Sequence, residues 1–590
     1  MVGNANKIFS LKDNYVLRLT RTAIYLFIFF HLQLAQAQEN GTVGDTDIKL
    51  YTIGGTVSLQ SHAYSTTRTQ DLRQPLGMLA TANLNFSVLG FSSGLNLRYS
   101  TDNSQLRQDL NRFSFQGGWR WLEISAGDVS PSYNKYSLRG TRVRGGELAL
   151  SPGLFLLEAS GGQVNRRITG LEDGENFGRR QQAYERWLYA ARLGYGAERG
   201  SNFRLGVVYA WDEDQPLPEL ANGLAAPLPQ ENLLLSPDFQ ISLFERRFQI
   251  ETMNAVSVLS RDTRAQAIDL GEIGAPAFTE SIFTPRSSTQ INYATQVESR
   301  LSLSAFNLNV GFERIQPGYR SLGLRNIKDD SQNISIEPQI KLFNSRLNVS
   351  SQVRLGRDNL MDQRTATQRR TDFGLRIQSQ LTNAFSLGAG YNLLLDNTEI
   401  NVQNNDPSLN YPEQLVTSQN FSLQPSYVWN GENASHSIAI SSSLQLLDID
   451  IDNNDRDLGN TFLSNTGSYS LSFFSGFNIN TTLNYATGDA PTSDFNIIGA
   501  TLGLGHSFFD RKLSTNLSAG ISENRTETQS GDTIREQSQR QLNGNITLMY
   551  RPRRSNTIRL TARTVNNAIL EGTGNEFQEL EVRLSVSQRF

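Results

Sequence analysis

The chain contains no cysteine. Disulfides, thiolate metal centres, cysteine nucleophiles and a lipid-modified N-terminal cysteine are therefore excluded. Histidine is almost as scarce, with 4 in 590 residues. Beyond the N-terminal segment only His62, His436 and His506 remain, and no Ser/His/Asp set falls together in the pattern. Gly-rich phosphate loops and zinc-ligand spacings are missing as well. The chain is accordingly expected not to be an enzyme. An excess of one charge is also lacking, since 54 basic residues face 57 acidic ones. That balance removes the electrostatic footprint of a nucleic-acid binder. Finally, only one long apolar run exists, Ala23–Ala35, so no helical membrane span is expected after it.

That run sits in the frame of a secretory signal. Lys7, Lys12, Arg18 and Arg21 precede it, and Ala35-Gln36-Ala37 follows it with small-x-small spacing. The segment is short of the roughly 20 residues a helix needs to cross a bilayer. Residues 1–37 are therefore read as a cleaved signal peptide, and 38–47 as a short periplasmic lead-in. Residues 48–590 form the rest of an exported protein.

What the chain does contain is alternation. In 346–355, Leu347, Val349, Val353 and Leu355 alternate with Asn348, Ser350, Gln352 and Arg354. In 513–522, Leu513, Leu517, Ala519 and Ile521 alternate with Ser514, Asn516, Ser518 and Ser522. A period of two puts apolar and polar side chains on opposite faces of a strand. The pattern repeats in about 26 segments, each bounded to about two to four residues. The connections between them alternate short and long. Short ones fall at Gly90, Arg120, Pro152, Arg246, Asn344 and Phe509, and long ones at 130–139, 166–183, 213–231, 261–288 and 317–330. Tight turns at one end and long loops at the other are the habit of transmembrane barrels. A mean hydropathy of −0.40 does not oppose this, because only alternate residues face lipid. Trp119, Trp121, Phe343, Phe385, Trp429 and Phe508 lie near short turns, and Trp187 and Trp211 at the other strand ends, as two interfacial aromatic belts require.

The last segment, Glu579–Phe590, carries Leu580, Val582, Leu584, Val586 and Phe590 on one face and charged or polar residues on the other. It resembles the C-terminal signal of bacterial outer-membrane β-barrels, with Gln588 departing from the pattern. That resemblance implies that Phe590, Val586, Leu584 and Val582 are read by the barrel assembly machinery. As architecture, the chain resembles the large barrels of Bacteroidota-type outer membranes, without the plug domain of TonB-dependent receptors. With the LPS-export barrel it shares strand number alone. The expected fold is all-β: a single large antiparallel up-and-down transmembrane β-barrel of about 26 strands after the signal peptide, with both termini periplasmic.

Three places stand out for chemistry. Strand 140–151 holds Thr141 and Val143 on one parity and Leu148 and Leu150 on the other. A bulge at Gly145-Gly146 would reconcile them and turn Arg142, Arg144 and Glu147 into the lumen near Glu123 and Glu158. Such a cluster is either a charged constriction or a salt-bridge network bracing the wall. Asp448, Asp450 and Asp452 share one face beside an acidic loop; clustered oxygens suit Ca²⁺, although the EF-hand pattern is not met and a solvated loop is the alternative. No other cofactor is implied. The two longest Pro-containing loops, 213–231 and 261–288, are apolar enough that at least one is expected to fold over the mouth or into the lumen, the alternative being a pair of external loops packed on each other or on a partner.

Function is read as a channel or translocation conduit, porin-like or for a secreted polymer. The alternatives are a non-conducting barrel that displays loops or houses a partner subunit, and a soluble secreted all-β binding protein. Membrane lipid, the assembly machinery and a subunit plugging the lumen are the expected partners.

Overall fold

The computed structural model describes residues 51–68, 75–101, 111–169, 182–217, 227–268, 283–400, 413–452, 458–531 and 533–590. The expected signal peptide and lead-in fall outside the described residues. Twenty-six strands form one antiparallel sheet, each paired with its sequence neighbours. The ring closes where β1 (Tyr51–Thr66) pairs with β26 (Phe577–Arg589), from Thr56 opposite Arg589 to Thr66 opposite Glu579. The strand number matches the sequence expectation, and most strand bounds agree within a few residues. The largest departure is between β23 (Leu513–Ser530) and β24 (Thr533–Tyr550). Their polar ends form a long paired ribbon where the sequence suggested a loop at 524–539.

Closure follows from the medium. Lipid offers no hydrogen-bond partner to a sheet edge, so a sheet in a bilayer is stable only without edges. The alternation then sorts side chains into two surfaces. Leu502, Ile521, Leu542, Leu560, Leu584 and Phe590 lie on the outer surface and are exposed. Between them along the same strands, Thr501, Ser522, Asn543, Thr561 and Ser585 face the lumen. Val582, Leu584, Val586 and Phe590, the residues expected to form the assembly signal, sit on the outer face, and the Phe590 amide donates to Gly55 O at 3.0 Å to hold the chain end against β1.

Aromatic side chains gather at the two ends of the outer face. At the short-turn end, Trp429 stacks on His436 at 4.7 Å, and His436 Nδ1 lies 2.9 Å from Tyr469 Oη. His506 meets Phe508 edge-on at 4.3 Å in the same belt. At the long-loop end, Trp211 contacts Tyr189 and Tyr209. Such rings prefer the interface, where the body is dry and the polar atom wet.

The wall is uneven. β4 (Arg112–Trp119), β5 (Leu122–Val129) and β6 (Val143–Leu150) have 8 residues each, whereas β19 (Ala434–Ile451), β23 and β24 have 18. With strands about 4.8 Å apart and tilted by roughly 40°, a ring of 26 strands is roughly 50 Å across, backbone to backbone.

The two surfaces differ in what they tolerate. Leu502→Arg, six residues from the Phe508 belt on the lipid face, is expected to lower stability by about 2–4 kcal/mol. Thr501→Arg, one residue away on the lumen face, is expected to change it little. Urea unfolding in liposomes measures both, and equal costs would contradict the assignment of faces.

Candidate functional site

The lumen of β5–β13 is lined differently from the rest. Val129 and Val143 on β5 and β6, Leu188 on β8 (Arg186–Gly196), Val208 on β9 (Asn202–Asp212), Leu234 on β10 (Glu231–Leu243) and Leu259 on β11 (Phe248–Ser260) all point inward and are buried. In a water-filled barrel this inner apolar patch would be unfavourable. Two connections cover it. Residues 130–142, between β5 and β6, bring Tyr133, Tyr136 and Leu138 onto the patch. Residues 316–330, between β13 (Phe306–Ile315) and β14 (Ser331–Leu342), bring Tyr319 and Leu322. Leu138 is fully buried and Tyr136 is 1 % exposed, values typical of a protein core.

The two connections are bonded to one another as an inner layer. Tyr319 Oη donates to Tyr136 O at 2.8 Å, Ser321 Oγ to Ser137 O at 2.5 Å and Thr141 Oγ1 to Gly323 O at 2.7 Å. Gly323 is required by the closeness of the two chains, since a Cβ there would lie 2.6 Å from Ser137 O. The layer is also bonded to the wall. The Leu322 amide donates to Asn232 Oδ1 at 3.1 Å, and Ser257 Oγ donates to Arg320 O at 2.6 Å. Tyr136 Oη donates to Glu313 Oε1 at 2.6 Å, and Lys135 Nζ pairs with the same carboxylate at 2.8 Å. Burial, then the bond to Glu313, pushes the Tyr136 phenol up, and burial pushes the Tyr319 phenol up. Both therefore remain donors throughout the physiological range.

One anchor repairs a fault in the sheet. Pro237 on β10 has no N–H to give to β11, and the β10–β11 register is interrupted between Leu235 and Phe239. The groups of Asn254 left without their ladder partner are satisfied from elsewhere. Its amide donates to Asp238 Oδ1 at 3.1 Å, its side chain to Pro237 O at 2.8 Å, and its carbonyl accepts from Asn134 Nδ2 at 3.2 Å. Asn134 Nδ2 also reaches Asp238 Oδ1 at 2.9 Å. A side chain of the inner layer thus stands in for the missing backbone donor.

The charge cluster expected from sequence is only partly assembled. Glu123, Glu147 and Glu158 share the lumen face: Glu123 lies opposite Ala149, Ala149 opposite Glu158, and Glu147 opposite Ser125 and Ser160. Arg144 does not join them. The β5–β6 register runs unbroken from Val129–Val143 to Leu122–Leu150, so no bulge exists at Gly145-Gly146. Arg144 therefore projects from the outer face, where it meets Asp128 at 3.3 Å, and Arg142 approaches the same carboxylate at 3.7 Å. The parity conflict that suggested a bulge has another cause, which is that Val143 is inward-facing and buried by the inner layer. The lumen cation is instead Arg192 on β8, in register with Glu158 and paired to it, while its Nη1 donates to Tyr133 O at 2.9 Å. Arg192 therefore ties the glutamates to the inner layer.

Asp448 and Asp450 are exposed on the outer face of β19, with Ile438 and Ile440. Among the described residues no group of Asp, Glu or His gathers at metal-binding spacing, and 453–457 lie outside them. His62 faces the lumen, and His436 and His506 the outer belt. The expectation that loop 213–231 or 261–288 folds inward falls largely on residues 218–226 and 269–282, outside the described set. The inner layer comes from 130–142 and 316–330, where the sequence reading placed external loops at 130–139 and 317–330 and began a strand at 140. The signal was present in the strands beneath, where Leu188, Ala190, Val208, Ala210, Leu234, Ala255 and Leu259 stand on the lumen parity among polar residues.

Beside the layer, a cleft of about 690 Å³ opens toward β12–β16 and is lined by Lys135, Lys328, Glu298, Glu337, Arg354 and Arg370. This part of the lumen is charged in both signs.

No family model and no curated protein matches the chain. Among solved structures, it is similar to the P pilus usher (PapC) translocation pore at 10% identity and TM-score 0.24, over 91% of this chain and 99% of that one. The copper transporter OprC is similar at 9% identity and TM-score 0.38, over 94% and 81%. Acinetobacter baumannii OccAB4 is similar at 10% identity and TM-score 0.26, over 70% and 99%. At such low identity and TM-score these likenesses leave function to be argued from the lumen itself.

The anchor at Asn134 gives a direct test. Asn134→Ala removes the donor to Asn254 O and to Asp238, and is expected to cost about 1–3 kcal/mol locally. Amide exchange in 130–142 and 316–330 should quicken while β17–β26 stay protected. Unchanged exchange in both segments would mean that Asn134 does not hold the layer.

Proposed function

We propose that the protein is a conduit through the outer membrane of a Gram-negative cell. In this reading the short-turn end, with Phe590 and the start of β1, faces the periplasm, and the long loops face outward. One observation carries the proposal: the ring is wide and hydrophilic inside, yet the described inner layer rests on β5–β13 alone. A wall that served only to display loops would gain nothing from a polar interior in a ring roughly 50 Å across, backbone to backbone, and small barrels of about 8 strands fill theirs with side chains. The inner layer narrows the passage from one side. A partner subunit is the natural means of narrowing it further. The lumen glutamates Glu123, Glu147 and Glu158, with Arg192, brace the layer rather than select a permeant, because Arg192 engages both the wall and Tyr133.

Purified protein in planar bilayers is expected to show large single-channel currents. Replacing Tyr133–Leu138 by a short Gly/Ser linker should enlarge them, since the layer loses its first half. A protein that inserts but never conducts, with or without that segment, would overturn the conduit and favour a barrel occupied by another chain. Insertion is tested separately. Removing Phe590 is expected to lower the membrane-inserted fraction, measured by heat-modifiable gel mobility, and normal insertion would count against its role in assembly.

A further inference from the structure

The half of the lumen opposite the inner layer has an unusual chemistry. From β18 (Gln414–Asn430) through β19, β20 (Asn460–Phe473), β21 (Asn478–Ala490) and β22 (Ser493–Phe508) to β23, the lumen-facing positions follow from the strand registers. Among the described residues, not one of those positions on these six strands carries an ionisable side chain. Most hold Ser, Thr, Asn, Gln, Gly or Ala, with Ser441, Thr466, Asn484, Gly499 and Ser522 forming one row across the wall, and the apolar Val416, Leu447, Ile449, Ile451 and Ile497 lie toward the long-loop end. The contrast with β12–β16, where Glu298, Glu337, Arg354 and Arg370 face inward, is sharp. Charges are present on these strands, but on the other surface: Asp489, Asp494 and Glu527 are in register on the outer face.

Near the long-loop end of this neutral wall lies an aromatic platform. Phe462, Gly488 and Phe495 are directly opposite one another on β20, β21 and β22, on the lumen face. The two rings are 5.8 Å apart. The Phe495 ring lies over Gly488, where a Cβ would sit 2.2 Å from it. Only glycine leaves room for the Phe495 ring at that position. Both rings remain partly exposed to the lumen.

We propose that this wall is the track of a neutral glycan, an uncharged oligo- or polysaccharide whose sugar rings first pack on Phe462 and Phe495. The inference rests on the conduit reading and names its cargo. Sugar hydroxyls both donate and accept, as do the hydroxyls and amides of the wall. A glycan can thus exchange water for wall contacts at little net cost. The C–H face of a sugar ring is the apolar surface that an aromatic ring fits. A polypeptide or an anionic polymer would carry charges that these six strands do not match. The wall spans roughly 35 Å of arc, enough for several sugar units side by side. It binds each only weakly, as a moving cargo requires.

The test uses the full-length protein in planar bilayers, with neutral α- and β-linked hexose oligosaccharides of about six units as probes and sulfated oligosaccharides of the same length as controls. Neutral oligosaccharides are expected to interrupt the current with resolvable residence times, and sulfated ones are not. Phe462→Ala and Phe495→Ala should shorten those residences by roughly three- to tenfold, the loss of one aromatic contact, while the open-channel current stays the same. Equal residence of neutral and sulfated probes, no residence of either, or residence unaffected in both variants would overturn the glycan track and leave the conduit standing. The absence of any current would overturn the conduit and the track together.

Discussion

A backbone amide in hydrocarbon has no water to turn to. That single constraint dictates most of this molecule. Every strand must find two neighbours, so the sheet closes from β26 back to β1. Closure fixes two surfaces, and the period of two along each strand fills them with opposite chemistry. The aromatic belts, the tight turns at one end and the polar lumen are consequences of that arrangement rather than separate features. It also explains why the cut in the ladder at Pro237 is not left open. Asp238, Asn254 and Asn134 replace the lost bonds with side-chain ones.

The repair at Pro237 connects the membrane problem to the lumen. Asn134 belongs to the inner layer, so the same side chain that completes the sheet also fixes the layer in place. Arg192 does the equivalent for charge, pairing with Glu158 and holding Tyr133 O. The layer is therefore part of the wall's own hydrogen bonding, and the apolar patch beneath it is the reason it stays. A barrel of this width cannot fill its interior with side chains from strands alone. Here a second tier of chain takes up part of the space.

Much of this was legible in the sequence because the membrane imposes regularity. Strand number, alternation and turn lengths are repeated many times, and repetition outweighs the uncertainty of any single segment. What was missed lay where the regularity fails for a local reason. Leu188, Val208, Leu234 and Leu259 break the alternation because they face packed chain and not water. Arg144 was turned inward on the assumption that Val143 faced lipid, an assumption the inner layer makes unnecessary. The polar ends of β23 and β24 read as loop because, beyond the lipid, a paired ribbon no longer needs an apolar face. The two inner connections gave no strong signal of their own, since Tyr136, Leu138, Tyr319 and Leu322 are only a few apolar residues among polar ones.

The inner layer also bears on the order in which the protein is made. Tyr136 and Tyr319 are bonded across 183 residues of chain. The layer cannot form until the hairpins from β5 to β14 lie side by side. Contacts of such long reach are slow to close, because the entropy of the intervening chain is lost before they are gained. Until then the inward leucines of β8 to β11 stand in water. The later strands carry less of this burden, for their lumen faces are mostly polar when they pair. Biogenesis should thus be two-paced: the carboxy-terminal half matures strand by strand, and the amino-terminal half locks in a single late, cooperative event.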